Sequence, residues 1–283
     1  MAIKSLAINI NSFDASEFLE PLISNIRNQV DIVNLIWQKQ SYWKNPVDPI
    51  DLEEIHRLKK IGLVDELIEF KPNFTKYSRE QECDKRNMGI QMMKDKGISH
   101  VISMDADEIY DPEQFRYAKD VINKKGYTIT YWSYVNYYRD LDHYLVYPFR
   151  PFVPGIHSTF FNYTYNTGAP GPTDPTRRIN NPSNLGTYIF EDEEIRMHHL
   201  AWCRLDIRKK LENWSAKNHF DASLIEKAVE RWENWKEGIP AIMLFNVPEN
   251  QVVVNKLDRR ITNIYIPWLE QQTETWKKKN DYV

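Results

Sequence analysis

The chain has 283 residues, of which 42% are hydrophobic and 27% charged, and its formal net charge is −3. That length and balance suit a globular chain with a sizeable core, and exclude a protein that coats nucleic acid through overall positive charge. The unusual feature is 37 aromatic rings (Trp 9, Tyr 16, Phe 12) against 9 glycines, and so many rings must fill a core or line a stacking surface.

In chain order, an apolar strand is predicted over residues 4–10. A helix follows Ser16, its local cap, with Phe18, Leu19, Leu22, Ile23 and Ile26 at helical spacing and an end near Gln29. A second strand (31–37), a helix (52–60) ended by Gly62 and a third strand (66–70) come next. Ser78 with Gln81 three residues later reads as a capping box for a helix closed by Gly97, before a short strand over 100–104. This alternation predicts an α/β fold, Rossmann-like, with a mostly parallel sheet flanked by helices. A strand is expected over 127–136. Residues 147–184 read as a long shaped loop, because 148–186 holds seven of the 15 prolines and four of the nine glycines. Helices return after Asp206, including one opened by Ser223 and Glu226 with an apolar face of Leu224, Ile225, Ala228, Val229 and Trp232. No boundary is sharp, so one domain over 1–283 is expected, with residues 1–123 as one half and 124–283 as the other.

No apolar run approaches the roughly 18–20 residues of a membrane span, and MAIKSLAINI reads as a strand rather than a secretory leader. Cys83 and Cys203 are too few for a disulfide framework or zinc cage, so a cytoplasmic setting is expected, the host's if the protein is viral.

The stretch HVISMDADEIYDPEQF carries the most chemistry. Asp105, Asp107 and Glu108 arrive together at the carboxyl end of a buried strand, where ligands of open α/β sheets bind. Two aspartates one residue apart suit a hard divalent cation that also takes diphosphate oxygens; the plainer alternative is an acidic helix start at Asp111-Pro112. Upstream, Arg79, Cys83, Arg86, Asn87, Ile90 and Met93 share one helical stripe that turns cationic as it nears the acids. Downstream, His198 and His199 open MHHLAWCR, and one imidazole could complete a metal site.

The ordered set SLAINI, DKRNMGI, VISMDADE and HHLAWCR resembles the A-type (GT-A) nucleotide-sugar glycosyltransferases, particularly the family-2-like group. The resemblance covers residues 1–115 and 195–215. It implies that Asp107, with Asp105 beside it, holds Mn²⁺ or Mg²⁺ on the donor diphosphate, with His199 as the further ligand and His198 as runner-up. It also implies that Asn9, Asn11, Trp37 and Gln38 lie near the nucleoside, and that Arg79, Arg86 and Asn87 face the phosphates and sugar. The family's proline and tyrosine near the first asparagine are absent here. For an inverting transfer, Asp174 is the first choice as base and Asp192, in the run 191–194, the second.

Residues 124–190 hold 16 of the 37 rings, with six Lys or Arg against three Asp. Rings interleaved with cations suit either sugar faces or a nucleic-acid strand. The expected partners are therefore a nucleoside-diphosphate sugar and an acceptor that is either a glycan or a hydroxymethylated pyrimidine in DNA, as in bacteriophage DNA glycosyltransferases; no membrane partner is expected. Two other classes remain: a sugar nucleotidyltransferase, whose glycine-rich opening loop is absent before Gly62, and a noncatalytic nucleotide- or glycan-binding module.

Overall fold

A computed structural model describes residues 1–165, 173–179, 186–242, 251–257 and 266–279. The chain begins with β1 (Leu6–Asn11), α1 (Ser16–Ile26), β2 (Ile32–Trp37), α2 (Pro49–Lys60), β3 (Glu66–Glu69) and α3 (Ser78–Asp95). It continues through β4 (His100–Asp105), β5 (Glu108–Tyr110), α4 (Pro112–Lys125), β6 (Ile129–Tyr138), β7 (His143–Val146) and β8 (Phe152–Ser158). Short strands β9 (Tyr163–Thr164), β10 (Arg178–Ile179) and β11 (Thr187–Ile189) precede β12 (Met197–Trp202). The remainder comprises α5 (Ile207–Asn213), α6 (Ala222–Glu233), β13 (Ala241–Ile242), β14 (Gln251–Lys256) and α7 (Pro267–Lys279).

Two compact units result, one of residues 1–134 and 150–197 and the other of residues 135–149 and 198–283. In the first, β3, β2, β1 and β4 are neighbours in that order and all parallel. The sheet then turns antiparallel, β8 pairing with β4 and β6 with β8. The predicted α/β fold with a mostly parallel sheet and flanking helices is what the chain forms. Gly89 lets α3 approach this sheet: a Cβ there would stand 2.5 Å from Ile36 Cδ1 and 2.9 Å from the Asn9 side chain. The predicted α3 stripe also holds, with Cys83, Arg86, Ile90 and Met93 buried.

In the second unit, β7 pairs with β14 and β14 with β13, all antiparallel. Its core is ring-rich: Tyr138, Trp202, Trp232 and Trp235 pack with Ile225, Ala228 and Val229 of α6. The Trp232 indole N–H donates to the Trp202 carbonyl at 2.7 Å, so the ring is buried without leaving its donor unpaired.

Several local expectations are corrected. Residues 147–184 are not all loop, since β8 is a seven-residue strand whose residues from Val153 to Ser158 are buried. It tolerates Pro154 and Gly155 because its pairing with β6 shifts by one residue between Ile129 and Tyr131, and because Gly155 lies on the Trp132 ring. Pro170, Pro172, Pro182, Gly168 and Gly171 from that reading lie outside the described residues. Ser16 does not cap α1; the Asp51 carboxylate, from α2, accepts the Ala15 and Ser16 N–H groups at 2.8 and 2.7 Å. Ser78 and Gln81 form no capping box, because Gln81 instead accepts from the Asn73 N–H and donates to the Lys76 carbonyl. Asp221, not Ser223, caps α6. Asp111 does cap α4, with Pro112 at its first position.

Few of the rings in the middle segment are fully open to solvent. Of the 16 between residues 124 and 190, Tyr131, Trp132, Tyr137, Tyr138, Tyr163 and Phe190 are buried, and only Phe149 and Phe160 are exposed.

Candidate active site

Because β1, β2 and β4 run parallel, their carboxyl ends bring Asn11, Trp37 and Asp105 to one edge of the sheet, with Asn11 in register with Asp105. Alternation along a strand puts every second residue on one face. Asn9 and Asn11 of β1 therefore share a face with Ser103 and Asp105 of β4, and a polar column runs through the sheet to its edge. In it, the Asn34 amide donates to Asn9 Oδ1 at 2.7 Å, and Asn11 donates to Ser103 Oγ at 3.4 Å.

At the edge stands an ion network. Arg86, with no exposed side-chain surface, reaches Glu82 at 2.8 Å and Asp105 at 2.9 Å. Arg177 reaches Asp105 at 3.4 Å, Asp174 at 3.2 Å and Glu108 at 2.9 Å. Glu108 is wholly buried and Asp107 is 1% exposed, whereas the Asp105 and Asp174 side chains each keep 25% of their surface in solvent. Two guanidiniums thus sit among five carboxylates, and the cluster retains negative charge.

The protonation states follow. Burial works to raise the Asp105 carboxyl, but Arg86 and Arg177 outweigh it and hold the group below the usual carboxylate range. Asp174 is held further below, burial again being outweighed by Arg177 and Arg86, with the Thr176 backbone and hydroxyl bonds adding to them. Burial pushes the Tyr42 phenol well up, and nearby Glu82 adds to it; Tyr134 is raised by burial and Asp174. Burial also depresses Lys85 to about 7; its ammonium donates to the Ser12 carbonyl just beyond β1 at 2.9 Å.

Several buried polar atoms near this edge have no hydrogen-bond partner among the described residues: Asn11 Oδ1, Ser12 Oγ, Gln38 Oε1, and Arg86 Nε and Nη1. Leaving such groups dry costs about 1–3 kcal/mol each, so they are the natural points of contact for a polar ligand. Trp37 lies beside them at 8% exposure, edge-on to His56.

Other expected residues fall differently. Arg86 pairs with carboxylates through Nη2 alone, and its Nε and Nη1 have no partner among the described residues. Asn87 uses both ends of its amide on the Tyr163 backbone, accepting from its N–H and donating to its carbonyl, both at 2.8 Å. Arg79 is half-buried and forms no ion pair among the described residues. Asp192 is tied to Ser133, to Arg150 at 2.6 Å and to Arg196 at 3.4 Å; burial opposes this, but those partners hold its carboxyl low.

In the second unit, His198 is 3% exposed with Nδ1 bonded to the Tyr137 hydroxyl at 2.9 Å, whereas His199 is half-buried with Nδ1 bonded to Asn136 Oδ1. Alternation along β12 separates the two rings in this way.

Arg177, Lys85, Asp51 and Tyr42 carry no site role in the sequence reading, and Glu108 enters it only as one of the acids clustered after β4. Arg177 left a local signal too, standing three residues after Asp174. The Asp51 carboxyl matters chemically because it occupies the amino end of α1, accepting the N–H groups a phosphate would otherwise take, while burial raises its pKa.

Neither a protein-family model nor a curated protein matches the chain. Among solved structures, S. aureus TarS is similar at a TM-score of 0.44 and 9% identity, over 73% of this chain and 38% of that one. TarS 1–349 in complex with UDP gives 0.35 and 9%, over 47% and 36%. GalNAc-T7 with UDP, GalNAc and Mn²⁺ gives 0.43 and 11%, over 70% and 44%. The chain thus spans 36% and 38% of the two TarS chains, and likeness at this level assigns no residue a role.

Proposed function

We propose that the chain is a glycosyltransferase that moves a sugar from a nucleoside diphosphate to an acceptor hydroxyl, with a divalent cation at the acid cluster. The observation that carries this reading is the surplus of carboxylates around Asp105 and Asp107, at the carboxyl edge of four parallel strands and beside unpaired buried polar atoms. A departing diphosphate gains negative charge, and fixed cations stabilise it without reorganising. Arg86 would serve with its unpaired Nε and Nη1, and Arg79 with a guanidinium not already neutralised. Asn11, Gln38 and Trp37, at the same sheet edge, would contact the nucleoside.

The donor set at the acid cluster fits Mn²⁺ or Mg²⁺, because its carboxylate oxygens suit a hard divalent cation. Among the described residues no three His, Cys, Asp or Glu side chains form a cage. That suits ions which keep several waters and take phosphate oxygens, needing few protein ligands. When bound, such an ion would act as a Lewis acid on the diphosphate oxygens.

Asp174 is proposed as the base, being ionised and partly exposed, and Asp192 as the alternative. Held low by Arg177, Asp174 is a weak base, which suits a hydroxyl deprotonated late in the transfer.

The acceptor proposed is a carbohydrate hydroxyl. The reading of a hydroxymethylated pyrimidine in DNA drew on rings and cations in 124–190, yet few of those rings are exposed. Arg177 and Arg150 are spent on carboxylates. The nucleotidyltransferase alternative loses support from Asp51 at the α1 amino end.

The test is thermal stabilisation by UDP and GDP, with and without Mn²⁺, in the natural protein and in Asp107→Ala. Metal-dependent stabilisation that disappears in Asp107→Ala is expected. No stabilisation by either nucleotide would refute the reading, and stabilisation without sugar turnover would mark a binding module. A panel of nucleotide sugars with glycan and hydroxymethylcytosine-DNA acceptors then decides the acceptor.

A further inference from the structure

We infer that Glu108 is a positioning residue: through Arg177 it fixes residues 173–179 at the carboxyl edge of the sheet and holds the Asp174 carboxylate in place for the acceptor hydroxyl. The inference rests on the reading of Asp174 as the base. Every residue in it belongs to the first unit.

A guanidinium has five N–H groups and no acceptor, so its hydrogen bonds run in one direction only. In Arg177 all five have an acceptor. Nη1 donates to Glu108 Oε2 at 2.9 Å and to the Ser103 carbonyl at 3.5 Å. Nη2 donates to Glu108 Oε1 and to Asp105 Oδ2, the latter at 3.4 Å. Nε donates to Asp174 Oδ2 at 3.2 Å. Four of these bonds reach β4 and β5, and the fifth returns to the segment that carries Arg177. Glu108 alone accepts two of them, in the fork-to-fork geometry that fixes direction as well as distance. It is wholly buried in β5, so the anchor itself does not move with the surface.

Asp174 is oriented in turn. Its Oδ1 accepts the Thr176 N–H and hydroxyl, both at 2.8 Å, and its carbonyl accepts the Arg177 N–H at 3.0 Å. With Oδ2 on Arg177 Nε, both carboxylate oxygens are held while 25% of the side chain stays in solvent. The ends of the segment are tied by backbone pairing, Thr173 to Phe152 and β10 to β9. Its middle is tied to the sheet edge by Arg177. Glu108, read in the sequence as one of a group of acids, therefore serves the segment opposite rather than a cation.

Two variants of the full chain test this: Glu108→Gln, which keeps the shape and loses the charge, and Arg177→Lys, which keeps the charge and loses the fork. Hydrogen exchange on metal-free protein reads the segment directly. Exchange across 173–179 should quicken by about tenfold or more in both variants, with β1 and β4 protected as before. With the nucleotide sugar that the donor panel identifies, kcat should fall by about 10–100-fold while its KM stays within about twofold, because a displaced base slows the chemical step and leaves donor binding intact. The double variant should be no slower than the slower single one, since the pair acts as a unit. Stabilisation by UDP with Mn²⁺ should persist throughout. Arg177→Lys serves alone if Glu108→Gln does not fold.

Unchanged exchange across 173–179 in the folded variants overturns the inference. Loss of Mn²⁺-dependent UDP stabilisation in Glu108→Gln with kcat intact also overturns it, and makes Glu108 a cation ligand. If Asp174→Asn abolishes turnover while Glu108→Gln leaves kcat unchanged, the inference fails alone. If Asp174→Asn leaves turnover unchanged, or no donor is turned over, the reading of Asp174 fails and takes the inference with it.

Discussion

Acidification from pH 7 to pH 5 should destabilise the first unit through two buried histidines, His100 at the start of β4 and His157 in the neighbouring strand β8. Neither ring has exposed surface, and burial depresses each to about 4. His157 is satisfied as a neutral ring, with Nδ1 at 3.0 Å from the Ser158 carbonyl and Nε2 at 2.9 Å from the Tyr163 hydroxyl. His100 Nε2 has no partner among the described residues. With folded values near 4 and an unfolded value near 6.5, the unfolded chain binds more protons between those limits. Stability is therefore full above about pH 6.5 and is lost as pH falls toward 4. At pH 5 each ring forfeits about 2 kcal/mol relative to pH 7, and the pair about 4, a large share of a typical 5–15 kcal/mol. Carboxylates with ordinary unfolded values titrate mostly below this window, and Lys85, depressed to about 7, contributes equally to the natural protein and to a histidine variant, so their difference isolates the histidines. Urea unfolding followed by tryptophan fluorescence at both pH values measures the loss, with His100→Gln/His157→Gln as the control. Equal losses in the natural protein and the double variant would refute the argument.

Arg177→Met strips Glu108, which is fully buried, of its counter-charge and should cost about 3–5 kcal/mol, read as a lowered melting temperature. Asp51→Ala removes the cap of α1 and should cost about 0.5–2 kcal/mol in urea unfolding, whereas Asp51→Asn, which keeps an acceptor, should recover most of it. Gly155→Ala drives a Cβ to 2.3 Å from the Trp132 ring, and denaturation should show a loss of about 1–3 kcal/mol or more.

Periodicity revealed the first hundred residues well. The spacing of Phe18, Leu19, Leu22, Ile23 and Ile26 marks the buried face of α1, and the apolar run before Asp105 marks β4. Both are local patterns, imposed by helical and strand geometry on neighbours in the chain. β8 escaped because a proline and a glycine usually interrupt strands; only packing against Trp132 and the shifted pairing with β6 make them fit. The expected Ser16 cap failed for a related reason. Any carboxylate within reach caps a helix, and for α1 that carboxylate comes from Asp51, 36 residues beyond Ala15.

The residue chemistry of the candidate site was legible in the sequence as acids at a strand end and a cationic helix stripe. Which of these groups touch was settled only by tertiary structure. Arg177 meets Glu108 across 69 residues, and His199 meets Asn136 across 63. The 37 rings show the same division. Their number required either a core or a stacking surface; the tertiary structure buries six of the 16 in the middle segment, half-buries eight and exposes two. Ion pairing, capping and burial depend on distance in space, and a linear pattern specifies the groups without specifying their partners.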